Sequence, residues 1–516
     1  MRGIWAQVDV SLSCLCALLC VHRCRSLRDI LKNIYAVHVV IQPLAICVTA
    51  IEEPALAHIE VQSDPGLPQE PDVPRGVYRD RLDRLCDRMK EKQLDALVIY
   101  GDREHFGNFR FCTGYDPRFE EAFLVVLTGA RPVLLIGVEG AGHSKHSLKL
   151  DCEVVIWHPL SLMGISRQGM KALGDILRSV GIHAGMRVGT VGWKYFTEAE
   201  FKDPDMKIEI PSFMVDELRH IVGNSDVVNS TDIFMHPDYG LRSSCDIHEV
   251  AVSEFGGTLG SRCMNRMIEG LEPGISEYDA VELMRLPGYP MSCHPAVLSG
   301  ERTGYIPASP SSRRIRLGDP LAFGVAFWGS DVARFAYVAY GNEDLPTHDA
   351  DYVHYTCVPY FMLLRKWYES VRLGAVCGEI FERTVSELAN CPFDLFLNPG
   401  HLTDLEEWTN SPFVARSPVS IKSGMIIQEE LIPAMRDRRR FGAYVEDGFA
   451  IGDESTVQDL RTHYPSVFRR IEARREFMIE QLGINIGSEV LPLCDNQGLL
   501  RPFLLNSRLG LRIRCS

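Results

Sequence analysis

Short apolar runs alternate with segments of helical periodicity across the first well-patterned part of the chain. The apolar runs predict buried strands at 94–100, 123–127, 133–137, 154–157 and 187–193. A helix is predicted over 79–93, and another carries Leu173, Leu177 and Val180 on one face. Because strands and helices alternate, we predict an α/β domain over residues 76–225.

A different pattern begins further on and predicts a separate α+β domain over 236–460. Apolar residues from Val252 to Met267 lie on one side of a long helix, and Ser276 is placed to cap the next helix. Apolar runs at 321–327 and 332–338 are joined by a short polar connection, which predicts a strand hairpin.

The end of the second domain is predicted from the same periodicities. Helices are predicted over 352–373 and 378–388, and two later strands contain Glu430 and Glu446. Residues 461–516 are predicted to form a helix followed by an irregular tail.

Residues 1–75 follow neither pattern, and we predict a poorly structured extension that ends in a linker over 52–74 rich in Pro, Glu, Asp and Gln. The 16 cysteines show no metal-type pairing in the body of the chain, which favours free thiols in a reducing compartment. We therefore predict a cytoplasmic location. An apolar run at 12–21 leaves open a signal or anchor segment, so membrane anchoring or secretion is the alternative.

The net charge changes the picture of possible partners. The chain carries a formal charge of -14 with a sequence pI near 5.6, and it has no basic patch of domain size. A nucleic-acid partner is therefore excluded from our expectations. A small peptide or amino-acid-derived substrate is the expected partner.

Three polar residues stand out in the apolar strands of the second domain. His401 follows Pro399-Gly400, while Glu430 and Glu446 are each embedded in a strand-like run. Burying such groups costs free energy unless they have a partner or a ligand. One alternative pairs the two acids with Arg334 and Arg440, and the other gathers the three residues in a site.

Asp331 lies in the connection of the predicted hairpin. Aspartate is common in tight turns for conformational reasons alone, so a turn role and a site role both remain open from the residue itself.

Several short motifs follow one another along the second domain. These are Glu272-Pro273-Gly274, Gly318-Asp319 before the hairpin, Pro399-Gly400-His401, Gly424-Met425 before an acidic strand, and Glu446-Asp447-Gly448. Their order resembles the creatinase/aminopeptidase P superfamily of Xaa-Pro peptidases. The resemblance covers residues 78–455 and implies a creatinase-type N-terminal domain followed by a pita-bread catalytic domain.

The resemblance also implies a metal centre. Metal-dependent members hold two divalent ions, commonly manganese or cobalt, with two Asp, one His and two Glu. By position, Asp331, His401, Glu430 and Glu446 match four of these ligands. Gly324 stands where the other ligand Asp is expected, so we expect one divalent ion or none.

Both proton-handling histidines of the family are replaced as well. Gly304 and Trp408 occupy their positions, and His294 is the candidate stand-in as an acid/base beside His401. The resemblance therefore implies a C–N hydrolase with a degraded metal centre. The alternatives are a metal-independent, creatinase-like enzyme and an inactive binding or scaffold protein. A homodimer is expected from the resemblance.

Overall fold

The structure is a computed structural model that describes residues 53–62, 68–117, 119–306, 308–407 and 409–513. The predictions for the N-terminal extension fall mostly outside these residues, and so does Trp408. Every helix in the described ranges is too short or too polar to be a membrane span.

The described strands and helices are numbered here in chain order. The strands are β1 (Pro54–His58), β2 (Ala96–Gly101), β3 (Ala122–Leu127), β4 (Val133–Ile136), β5 (Glu153–Ile156), β6 (Val188–Val191), β7 (Val227–Asn229), β8 (Met291–Ser299), β9 (Pro320–Phe327), β10 (Ser330–Tyr337), β11 (Phe393–Leu395), β12 (His401–Leu402), β13 (Ile426–Glu430), β14 (Pro433–Met435), β15 (Tyr444–Ile451), β16 (Val490–Pro492) and β17 (Leu509–Ile513). The α-helices are α1 (Arg75–Glu91), α2 (Gly107–Thr113), α3 (Gly140–Ser147), α4 (Leu173–Val180), α5 (Ser212–Val222), α6 (Asp232–Met235), α7 (Ile247–Gly270), α8 (Glu277–Met284), α9 (Val358–Ser370), α10 (Cys377–Glu387), α11 (Glu454–His463) and α12 (Pro465–Glu476).

The N-terminal domain is a six-stranded mixed sheet with strand order β5-β4-β3-β2-β6-β7. Both of its faces are covered, because Leu97 and Ile99 of β2 pack in one apolar cluster while Ala96 and Val98 pack in another. Burial on both faces explains the continuous apolar runs of the sequence. The domain extends past the predicted end at 225, since β7 and α6 belong to it.

The C-terminal domain is built on an antiparallel sheet with strand order β12-β13-β15-β10-β9-β8, and β16 pairs with β15. In β9, Phe323, Val325 and Phe327 pack in the same apolar cluster as helix α7. The alternate positions of that strand are the small residues Ala322, Gly324 and Ala326. Small side chains leave room above this second face of the sheet, which carries the candidate site described below.

Helix α8 begins as the sequence predicts. The Ser276 hydroxyl accepts a hydrogen bond from the Asp279 backbone N–H, and the Asp279 carboxylate accepts one from the Ser276 N–H. This reciprocal pair is a capping box, which satisfies donors at the first turn.

Two parts of the chain differ from the sequence prediction. Residues 54–58, predicted as linker, form β1, which pairs antiparallel with β17. The predicted irregular tail contains β16 and β17, and Leu482 and Ile513 are buried in the same core as α9. Both segments are too short to show a clear period, and their order comes from partners far away in sequence.

Candidate active site

The predicted site residues lie in neighbouring rows across one face of the C-terminal sheet. Glu430 of β13 is the register partner of Glu446 of β15, and Glu446 is the partner of Ala333 in β10. His401 of β12 is paired with Gln428, two residues before Glu430. Direct partners and residues two apart on a strand share a face, so these side chains converge.

Four polar side chains come close together at this point of the sheet. His401, Glu430, Glu446 and also Glu407 each offer one ligand atom, and these atoms all lie within 4.8 Å of one another. His401 Nε2 lies 3.4 Å from Glu430 Oε2. Asp331 is half-buried and is not part of this close group, although the charges of Glu407 and Glu430 act on it, and its Oδ1 has no hydrogen-bond partner. The structure thus brings three of the four predicted ligands together with Glu407.

Asp331 is a strand residue and not a turn residue. The hairpin turn consists of Trp328 and Gly329, and Gly329 has the positive φ of 97° that this two-residue turn requires. Asp331 lies in β10 opposite Ala326 of β9. The turn alternative for Asp331 is therefore wrong.

The carboxylates raise one another's pKa values. Burial, followed by the charge of Glu407, raises the pKa of Asp331 to about 8. Burial and the charge of Asp331 hold the pKa of Glu446 well above its usual value, and burial also raises the pKa of Glu407. Burial works against protonation of His401, but the hydrogen bond and charge of Glu430 raise its pKa overall. The cluster holds more negative charge than its protein surroundings compensate.

Arginines do not neutralise the two strand glutamates. Arg334 donates to both oxygens of Asp447 and to the backbone carbonyl of Glu446, whereas Arg440 binds Asp351. The Glu446 carboxylate instead accepts hydrogen bonds from Gln428 Nε2, at 3.2 Å, and from the Tyr444 hydroxyl. The alternative that pairs the acids with Arg334 and Arg440 is wrong, because Arg334 contacts the opposite face of β15.

The position of the missing ligand is closed by the backbone. A Cβ atom on Gly324 would lie 2.9 Å from the Cβ atom of Ala333. Asp319 does not replace the lost group, since both of its carboxylate oxygens accept hydrogen bonds from Arg313. Gly304 lies in a 3-10 turn over Gly300–Tyr305 and is exposed.

His294 is not brought to the cluster. It is exposed on β8, and the residues that line the cavity described below do not include it. The neighbouring Cys293 lies closer to the cluster. Burial raises the pKa of its thiol, and the charges of Asp331 and Glu407 raise it further. Strand β8 is irregular on both sides of Cys293, which changes the side chain that the strand presents to the sheet.

Glu407 is the site residue that sequence reasoning missed. It lies in the loop after β12, next to Glu406, where no strand or helix period marks which acid turns inward. Glu406 accepts hydrogen bonds from the Gly107 N–H and pairs with Arg242, so the two adjacent acids have different partners. The run of acids after His401 was the available signal.

The cluster opens into a cavity of about 630 Å³ between the two domains. His401, Glu407 and Glu430 line it on the side of the C-terminal domain. Opposite them are Trp193, Tyr195 and Met235 from the N-terminal domain. A volume of this size is typical of small-molecule sites.

The N-terminal wall of the cavity is held in place by hydrogen bonds. The backbone N–H groups of Trp193 and Lys194 donate to Glu209 Oε2 at 2.8 and 2.6 Å. Asn410 Nδ2 donates to the Tyr195 hydroxyl at 3.0 Å and thereby links the two domains.

The donor set fits one hard or borderline divalent ion. It combines one imidazole with three closely spaced carboxylates, and the negative charges of these carboxylates repel one another in the absence of a cation. His401, Glu407, Glu430 and Glu446 are the residues that would hold such an ion.

Comparisons with known proteins agree with this architecture. The sequence profile of the creatinase/prolidase N-terminal domain matches residues 81–203. Among curated protein sequences, none matches the chain.

Solved structures resemble about three quarters of the chain. The prolidase from Pyrococcus horikoshii OT3 is 16% identical with a TM-score of 0.55, and the match covers 72% of this chain and 95% of that one. The dipeptidase PepE from Mycobacterium ulcerans is 18% identical with a TM-score of 0.55, and the match covers 73% of this chain and 94% of that one. The His243Ala variant of Escherichia coli aminopeptidase P is 15% identical with a TM-score of 0.51, and the match covers 77% of this chain and 100% of that one. At these identities the likeness establishes the fold. Residues 81–203 therefore carry a creatinase/prolidase-type N-terminal domain, and the two-domain fold of the chain is similar to that of prolidases and aminopeptidase P.

Proposed function

We propose that the chain is a hydrolase that cleaves a C–N bond, peptide or amide, in a small peptide or amino-acid derivative with the help of one divalent ion of the manganese or cobalt class. The observation that carries this proposal is the convergence of His401, Glu407, Glu430 and Glu446 at one end of an interdomain cavity. The names of the structural relatives, prolidase, dipeptidase and aminopeptidase P, agree with this reaction class.

The proposal specifies one ion because the site lacks a second set of anionic donors. Gly324 supplies no side chain, and the Cβ contact with Ala333 leaves little space for one. Two closely spaced divalent ions repel each other strongly unless bridging carboxylates neutralise them. A single ion balances the carboxylates that are present.

The residues around the ion have separate roles. A bound ion supplies Lewis acidity at the scissile carbonyl. Glu407 is half-buried and faces the cavity, so a carboxyl oxygen that the ion does not occupy is placed to hold the proton that the leaving nitrogen needs. Trp193, Tyr195 and Met235 provide the wall against which the substrate packs.

Metal analysis combined with an activity assay tests the proposal. The purified full-length protein is loaded with Mn²⁺ or Co²⁺ and assayed on Xaa-Pro dipeptides, small amides and guanidino compounds. We expect one ion per chain at this site and turnover that a chelator abolishes. The Glu430→Gln variant is expected to lose the bound ion and the turnover.

Glu429→Gln is the matched control, since Glu429 lies on the opposite face of the same strand and burial keeps its pKa well above the usual value. Turnover that survives chelation would support a metal-independent enzyme. Absence of both metal and turnover would support a binding or scaffold protein. Either result overturns the proposal. The homodimer and the absence of a nucleic-acid partner stay predictions.

A further inference from the structure

A second group of ligand-type side chains lies at the junction of the two domains, apart from the cluster around His401. Cys245 precedes helix α7, Glu249 is in its first turn, and Asp404 is in the loop after β12. We infer that these three residues form a second cation site that takes a divalent metal of the zinc class.

The geometry of this group is close and fully enclosed. One carboxylate oxygen of Glu249, one of Asp404 and the Cys245 Sγ atom lie within 4.8 Å of one another. The exposed fractions of Cys245, Glu249 and Asp404 are 7%, 3% and 0%. Donors buried to this degree need a compensating partner.

The arginines around the group orient the carboxylates and leave oxygens free. Arg242 Nε donates to Asp404 Oδ2 at 2.7 Å, and Asp404 Oδ1 has no hydrogen bond. Arg81 Nη2 lies 3.3 Å from Glu249 Oε1, but neither carboxylate oxygen of Glu249 has a hydrogen bond. Outer-shell partners of metal ligands act in this way, since they approach a carboxylate from outside and leave oxygens free for the ion.

The charges of the junction also leave room for a cation. Four carboxylates, those of Asp246, Glu249, Asp404 and Glu406, face the two guanidinium groups of Arg81 and Arg242. Four negative and two positive charges leave a net charge of -2. The Cys245 thiolate that forms on zinc binding makes it -3, which one divalent ion reduces to -1.

The donor types favour zinc. A thiolate with two carboxylates suits a borderline-soft ion better than Mg²⁺ or Ca²⁺, which prefer oxygen alone. Without a metal, the Cys245 thiol donates its proton in a hydrogen bond to the Arg242 carbonyl. Zinc binding releases this proton to solvent. The bound ion would fix the loop that carries Glu407, since Asp404 and Glu407 belong to the same loop.

Cobalt spectroscopy on the full-length protein tests the inference without an activity assay. The protein is expressed in cobalt-supplemented medium, so that the ion enters while the chain folds, and Glu430→Gln is included to empty the first site. We expect a thiolate-to-cobalt charge-transfer band in this background. Cys245→Ser is expected to abolish the band.

Two matched controls carry the same substitution elsewhere. Cys263→Ser changes another buried cysteine, which lies further along helix α7, and Cys293→Ser changes the cysteine near the first cluster. Both are expected to keep the band. Loss of the band in Cys293→Ser alone would place the thiolate at the first cluster and overturn the inference.

X-ray absorption on the Glu430→Gln protein grown with zinc provides a measurement that does not depend on Cys245→Ser folding correctly. We expect about one zinc per chain with a sulfur neighbour at ~2.3 Å. Absence of zinc, or zinc with no sulfur neighbour, means that the group holds protons instead of a metal, and the inference is then wrong.

Discussion

Arg334 donates to both carboxylate oxygens of Asp447, at 2.8 and 2.9 Å, on the face of the sheet opposite the candidate site. Asp447 and Glu446 are adjacent in sequence, yet one is paired with a cation and the other joins an acidic cluster. The alternation of β15 separates a stabilising acid from a functional one.

Neutralising Asp447 is expected to reduce stability far more than neutralising Glu446. Asp447→Asn leaves the buried Arg334 without its partner and is expected to lower the free energy of unfolding by about 3–5 kcal/mol. Glu446→Gln is expected to stay within about 1 kcal/mol of the parent, because a neutral amide still accepts a hydrogen bond from Tyr444. It is expected to lose bound metal. Urea unfolding of the metal-free proteins and metal analysis measure both effects, and equal destabilisation would contradict the assignment of faces.

Restoring a carboxylate at the missing ligand position is not expected to restore a two-metal centre. Gly324→Asp places a Cβ atom 2.9 Å from that of Ala333 and is expected to destabilise the protein by about 1–3 kcal/mol. Gly324→Ala introduces the same Cβ contact without the charge and is the control. Thermal unfolding and metal stoichiometry are the measurements. A second bound ion in Gly324→Asp would show that the sheet can open at this point.

His105 is expected to titrate above its usual range. The hydrogen bond between its Nδ1 atom and Asp102, at 3.2 Å, raises its pKa above 6.5, and the charges of Glu209 and Glu406 add to this. The stability contributed by the pair is therefore complete below pH 6.5 and is lost as the pH rises through the folded-state pKa. NMR titration, with His105→Asn to identify the signal, measures the value. Asp102→Asn is expected to lower it, and an unchanged pKa would contradict the role of the pair.

The link between Asn410 and the N-terminal wall is expected to affect substrate binding. Asn410 Nδ2 donates to both the Tyr195 hydroxyl and the Met235 carbonyl. Asn410→Ala is expected to raise KM several-fold with a smaller change in kcat, because each lost hydrogen bond is worth about 1 kcal/mol. Tyr195→Phe removes one of the two bonds and is expected to have the smaller effect. Steady-state kinetics on the best substrate decides, and a pure kcat effect would contradict a binding role.

Apolar runs and the family resemblance together explain why part of the site could be predicted. The apolar runs place Glu430 and Glu446 in strands, and they predict the hairpin before them. Each acid has an acidic neighbour, Glu429 or Asp447, and it was the resemblance that selected Glu430 and Glu446 as the site residues. The order of the short motifs then indicated the fold.

The remaining site residues depend on irregular backbone, which a period cannot reveal. Glu407 turns inward in a loop, and the irregularity of β8 places Cys293, instead of His294, near the cluster. Only the tertiary structure selects between such neighbours.

The pairing of β1 with β17 joins segments about 450 residues apart along the chain, with Pro54 opposite Ile513. A ribosome releases the earlier strand long before its partner exists, so this small sheet closes only after synthesis of the body has finished. Long-range closure of this kind is slow and leaves an unpaired strand edge open in the meantime. Removal of the residues of β17 would therefore leave β1 without its partner, which changes the last step of folding as well as the folded structure.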